Sequence, residues 1–171
     1  MDRPNQEAVP ARVADIDWQV WQPVDKGTIL FVVQDGQILL IHKKRGLGAG
    51  KINGPGGRLD DGETPAECAI REVEEELRIS PTGVDEIGEL QFQFRDGYSI
   101  HVWVFRASGF EGTPEETNEA VPLWTSIDEI PYDRMWPDDR IWLPLLLERR
   151  SFLGQFVFED DAMLDHILIE R

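Results

Sequence analysis

Apolar residues run unbroken from Ile29 through Val33 and again from Ile38 through Ile41. Between the two runs lie Gln34, Asp35 and Gly36. Such β-rich runs predict strands over 28–33 and 37–42, and Asp-Gly predicts a tight hairpin between them. Residues 43–61 are glycine-rich without periodicity and predict mostly loop. The period then changes. Ala66, Ala69, Ile70, Val73 and Leu77 share one side of a 3.6-residue repeat and predict a helix over 64–77. Thr64 and Glu67 have capping-box spacing, and Pro65 falls at the first helical position, where its missing N–H is best tolerated.

Alternation returns over 90–94 and 99–106, predicting two strands about the turn Arg95-Asp96-Gly97. Residues 111–119 predict a polar loop and 121–125 a short strand. Pro137 opens a predicted helix reaching about Glu148, in which Pro144 is expected to make a kink or a break. Residues 152–158 and 163–169 predict closing strands. Ahead of all this, residues 1–14 are polar with two prolines and predict a loose tail, whereas Trp18 and Trp21 predict that the next segment docks. The organisation expected is a partly docked N-terminal extension over 1–27 and one mixed α/β (α+β) domain over 28–171.

Composition narrows the function. At 171 residues, with 41% hydrophobic and 29% charged residues, the chain suffices for one well-cored domain. No apolar stretch reaches the roughly 18 residues of a spanning helix, and no signal peptide is visible. The single cysteine, Cys68, has no internal partner and is expected as a small buried hydrophobe in a reducing, cytoplasmic setting. A net charge of −16 argues against stable binding to nucleic acid or to an anionic membrane. It repels a free nucleoside triphosphate as well, so phosphate chemistry here needs cations at the site. Nothing in the pattern distinguishes a monomer from a homodimer.

Glu72, Glu75 and Glu76 stand at i, i+3 and i+4, on one face of the predicted helix. Like charges so placed cost a bare helix roughly 0.2–0.5 kcal/mol per pair, and a glutamate-rich helix by itself is most simply a solvated face. Gly56-Gly57-Arg58 precedes this helix, however, and backbone without side chains approaches an ion or a phosphate closely. From Gly57 the spacing runs five residues to Glu63, then seven to Arg71-Glu72-Val73-x-Glu75-Glu76. This resembles the signature of the Nudix hydrolases. The resemblance implies a Nudix fold, a mixed sheet sandwiched between helices. It also implies metal ligation by Glu72, Glu75 and Glu76 with the backbone of Gly56 and Gly57 nearby, and a Glu63–Arg71 ion pair orienting Glu72. Hard carboxylate oxygens on one face suit Mg²⁺, or Mn²⁺, bridging to substrate phosphates. One position departs from the signature: Arg78 stands where its last glycine belongs, and the helix is expected to continue through it toward Pro81.

Three further segments resemble one branch of that family, the oxidised-purine nucleoside triphosphatases of the MutT type. They are residues 43–57, Phe92-Gln93-Phe94, and the stretch from Ile130 through Trp136-Pro137-Asp138-Asp139 to Leu147. The resemblance implies that a purine stacks on Trp136 and is read by Asp138, Asp139 and Asn53, with Phe92, Phe94 and Thr28 lining the pocket. It implies that Glu119 assists the metal site. Ile52 replaces the branch's usual tryptophan before Asn53. Lys43, Lys44, Arg45 and Lys51 gather positive charge in an acidic chain and are expected to attract the triphosphate. The expected reaction is attack of water on an oxidised purine triphosphate such as 8-oxo-dGTP, giving the monophosphate and pyrophosphate. Hydrolysis of another nucleotide, or nucleotide sensing without hydrolysis, are the alternatives.

Overall fold

The computed structural model describes residues 8–171. Strands β1 (Asp25–Gln34) and β2 (Gln37–Lys43) form the expected hairpin, starting at Asp25 rather than 28. Asp35 and Gly36 take φ of 52° and 71°, the paired positive angles of a type I′ turn. The stretch expected as loop holds two short strands, β3 (Ile52–Asn53) on β2 and β4 (Gly56–Arg58) on β1. Elements this short cannot display a period.

Strands β5 (Ser80–Phe94) and β6 (Ser99–Glu111) make a far longer hairpin than the alternation over 90–94 and 99–106 predicts. Pro81, Gly83, Asp85 and Gly88 give the first part of β5 a turn-like composition, and a bulge between Glu86 and Gly88 breaks its alternation. Strands β7 (Ala120–Ser126), β8 (Phe152–Glu159) and β9 (Ala162–Glu170) complete one sheet. Its order is β3-β2-β1-β6-β5-β8-β9, with β4 beside β1 and β7 beside β2. The β1–β6 and β5–β8 pairs are parallel and the others antiparallel, so the sheet is mixed.

Helix α1 (Pro65–Leu77) covers one face of the sheet and α2 (Asp139–Leu147) the other. Leu30, Val32, Leu39 and Ile41 pack with Ala69, Val73 and Leu77 of α1. Their alternate neighbours Phe31, Val33, Ile38 and Leu40 belong to the core of Trp142, Leu143 and Leu146 of α2. Strands buried on both faces require apolar residues at every position, which accounts for the unbroken runs that open the domain.

The hydroxyl of Thr64 accepts the Glu67 N–H at 3.2 Å, but the Glu67 carboxylate returns to that hydroxyl rather than to the Thr64 backbone. Ala66, expected on the apolar face, is exposed; Cys68 and Glu76 are buried instead. The expected continuation of α1 through Arg78 does not occur. Arg78 turns left-handed, with φ 61° and ψ 32°, and its N–H donates to the Glu74 carbonyl. The turn is imposed from outside, because the carbonyls of Glu76 and Leu77 accept the Thr117 hydroxyl and the Glu115 N–H, and β5 begins at Ser80. Pro144 neither ends α2 nor disturbs its packing, because it lies on the exposed side with Trp142, Leu143, Leu145 and Leu146 buried around it.

The loose tail expected over 1–14 lies partly outside the described residues. Within them, Val13 is buried in a short 3-10 turn, and its N–H donates to Asp165 at 2.8 Å. The Trp21 indole N–H donates to the Gln93 side chain at 2.8 Å, so this segment is docked on the sheet. No helix among the described residues is long and apolar enough to cross a membrane.

Candidate active site

The carboxylates are placed by two elements. Helix α1 carries Glu72 and Glu76 one turn apart, and the loop before β7 brings Glu119 to them. That loop is fixed by the Thr117 hydroxyl on the Glu76 carbonyl, at 2.8 Å, and by the Lys44 N–H on the Glu119 carbonyl, at 2.9 Å. As a result Glu72, Glu76 and Glu119 each offer an oxygen within 4.8 Å of the others. Glu75 stands outside this triad; it is exposed, with one oxygen 3.2 Å from the Arg71 guanidinium.

Arg71 organises the ridge. Its Nε and Nη2 donate to the two oxygens of Glu63 at 2.7 and 2.9 Å, and Nη1 donates to Glu72 at 2.9 Å. A further bond goes to the Arg58 carbonyl, 3.1 Å away, tying the glycine strand to the helix. These bonds from Arg71, with the Asp60 N–H, hold the Glu63 carboxyl down at about 2. Glu72 and Glu76 move the opposite way. Burial, then the charge of Glu72, pushes Glu76 up to about 8, and burial raises Glu72. One buried oxygen of Glu76, Oε2, has no hydrogen-bond partner among the described residues. A divalent cation fits this donor set, since it would satisfy the orphaned oxygen and relieve the repulsion among the carboxylates.

Only bare backbone fits beneath the ridge. A Cβ on Gly57 would lie 2.5 Å from Glu72 Oε1, and one on Gly56 would strike the Thr28 carbonyl. Cys68 is buried as expected, its thiol pushed up to about 11 by burial, which leaves no ready thiolate.

Beside the ridge lies a cavity of about 240 Å³. Gly56, Gly57 and Arg58 form part of its wall, so it adjoins the glycine strand beneath the carboxylate ridge. Asn53, Phe92, Phe94, Trp136, Asp138 and Asp139 also line it, which brings together residues from three separate parts of the chain. The Asn53 carbonyl oxygen accepts the Gly54 N–H at 2.9 Å, so its amide N–H groups are what it has to offer a ligand. Thr28 borders the cavity, but its hydroxyl is 3.3 Å from Cys68 Sγ on the α1 side of β1. Strand alternation made that choice.

Asp138 and Asp139 are each only 3% exposed. Asp138 accepts the Trp142 indole N–H at 2.8 Å, and burial pushes its carboxyl up to about 6. Burial, then the charge of Asp138, drives Asp139 well up too, and its Oδ2 has no partner among the described residues. Two buried carboxyls side by side resist ionising together, an arrangement suited to sharing one proton.

The expected cationic cluster is divided. Lys43 lines the cavity, whereas Lys44 is engaged by Glu116 at 2.6 Å and Lys51 by Asp161 at 3.0 Å. Leu90, Tyr98, Ile100, Val102 and Phe158 also line the cavity wall, unforeseen from the sequence. The same-face spacing of Leu90 with Phe92 and of Ile100 with Val102 was a signal for three of them; Phe158 arrives by the parallel pairing of β8 with β5.

Comparison with known proteins agrees with this architecture. The NUDIX domain profile matches residues 24–146. An oxidized purine nucleoside triphosphate hydrolase of Danio rerio is 43% identical over 145 residues, covering 84% of this chain and 93% of that protein. An 8-oxo-dGTP diphosphatase of Escherichia coli is 35% identical over 79 residues, covering 46% of this chain and 60% of that protein. Among solved structures, a mutator MutT protein from Bacillus halodurans superposes with a TM-score of 0.76 at 27% identity, covering 85% of this chain and 97% of the other. With the profile spanning the glycine loop, the arginine-organised ridge and the helix that carries it, the chain belongs to the Nudix family.

Proposed function

We propose that this Nudix hydrolase cleaves oxidised purine nucleoside triphosphates, with 8-oxo-dGTP as the type substrate, to the monophosphate and pyrophosphate. The observation that carries the reading is the cavity in which Trp136, Asn53, Asp138 and Asp139 meet beside the Gly56–Gly57 backbone. Relatives named for oxidised purine triphosphates support it.

Trp136 supplies a face for stacking, worth roughly 1–3 kcal/mol per base in nucleic-acid sites. Protonated Asp139 donates and ionised Asp138 accepts, a pairing suited to the N–H and C=O edge of an oxidised purine. The Asn53 amide adds a donor. Lys43 attracts the phosphate chain into an otherwise acidic protein. Glu72, Glu76 and Glu119 would hold Mg²⁺, or Mn²⁺, with Glu75 at the rim. When bound, the cation supplies charge neutralisation and activation of water. Glu63 and Arg71 keep Glu72 in place, and the bare Gly57 leaves room above it.

The test is a panel of purine triphosphates with Mg²⁺, read as kcat/KM and as product identity. The proposal expects 8-oxo-dGTP to exceed dGTP by at least tenfold, with pyrophosphate released. Equal turnover of the two would sink the assignment.

A further inference from the structure

Trp136 separates the cavity from a lysine. The indole lines the cavity on one side, and Lys51 Nζ lies 5.1 Å from its ring centroid, while Lys51 itself does not border the cavity. The ammonium is held there by Asp161 in the β8–β9 turn, at 3.0 Å, and the lysine side chain is only 26% exposed. The loop that presents Lys51 folds on itself, with Lys51 N–H on the Gly48 carbonyl and Gly50 N–H on the Lys43 carbonyl. It also fits the indole closely, since a Cβ on Gly48 would lie 2.6 Å from Trp136 Nε1. Phe94 and Phe158, which also line the cavity, meet the same ring nearly edge-on, at 81° and 78°. The indole is thus held by the Gly48–Lys51 loop and by two neighbouring rings of the cavity wall.

A cation over an aromatic face draws on its π density. With Lys51 on one face, the other becomes the poorer in electrons, and a stacked base gains most when it is itself electron-rich. The added oxo group of an oxidised purine feeds electrons into the ring and makes it the richer partner. We infer that Lys51, anchored by Asp161, is a specificity-determining positioning residue that acts through Trp136 to favour the oxidised base over the unmodified one. This rests on the oxidised-purine reading above. It differs from an electrostatic role on the phosphates, because Lys51 does not border the cavity and the indole that does lies beneath its ammonium.

The experiment compares kcat/KM for 8-oxo-dGTP and dGTP in Lys51→Met, Lys51→Arg and Asp161→Asn, in the full chain with Mg²⁺. Lys51→Met is expected to lower the ratio of the two constants roughly three- to tenfold. The loss should appear as a higher KM for 8-oxo-dGTP, with kcat and the constants for dGTP retained; the latter also report an intact fold. Lys51→Arg keeps the cation and should restore the ratio, and Asp161→Asn should shift it in the direction of Lys51→Met. A Lys51→Met protein that keeps the wild-type preference overturns the inference. So does an equal fall for both nucleotides, which would place the lysine's effect on the phosphates or the fold. A wild-type ratio of one removes the substrate reading itself, and the inference with it.

Discussion

Asp138 offers a test in which stability and function move in opposite directions. Its carboxyl is 3% exposed and rises from 3.8 to about 6, chiefly through burial. Keeping it ionised above pH 6 therefore costs the folded state about 3 kcal/mol, at 1.36 kcal/mol for each tenfold change. The sign follows from linkage: a carboxyl whose folded pKa is raised favours folding while it is protonated. That contribution is present in acid and is lost as the pH climbs from about 4 through 6. Asp138→Asn removes the charge and keeps an oxygen to accept the Trp142 N–H. The new amide N–H₂ costs about 1–2 kcal/mol where it finds no partner, which leaves a net gain of about 1–2 kcal/mol at pH 7.5. For a domain of this size that raises Tm by about 2–8 °C. Thermal unfolding of wild type and variant without metal, at pH 4, 5, 6 and 7.5, measures it. Comparing the two proteins at each pH cancels the other titrating groups. The gain should shrink toward pH 4, and the same variant should lose its preference for 8-oxo-dGTP. A variant no more stable than wild type at pH 7.5, or one whose gain is as large at pH 4, refutes the argument.

Arg78→Gly relieves a side chain from the left-handed conformation at the end of α1 and should raise stability by about 0.5–1 kcal/mol, measured by urea unfolding. Loss of stability would show that the arginine side chain contributes more than its backbone strain costs. Glu119→Gln removes one charge from the triad of carboxylates and should raise the Mg²⁺ concentration for half-maximal turnover roughly tenfold, with the Tm of the metal-free protein unchanged or higher. An unaltered Mg²⁺ requirement would remove Glu119 from the metal site.

The sequence by itself determined a good deal. The Asp35-Gly36 hairpin, the start of α1 and the strands on either side of that hairpin were legible because each depends on residues close along the chain. The Glu63–Arg71 pair was implied by the resemblance of this loop and helix to the Nudix signature, whose fixed spacing is likewise local. What remained hidden depended on chain segments far apart. The first part of β5 is a strand because β6 pairs with it, despite a composition that reads as a turn. Arg78 turns left-handed because Thr117 and Glu115 bond the carbonyls of the preceding turn. Strand alternation turned the Thr28 hydroxyl to Cys68, and ion pairs with Glu116 and Asp161 took Lys44 and Lys51 from the expected cationic cluster. Only the tertiary structure gathers Glu119 with Glu72 and Glu76, buries Asp138 beside Asp139 and sets Lys51 over Trp136. Spacing along one helix fixes which side chains share a face. Burial, and with it protonation and π density, depends on what distant segments bring to that face.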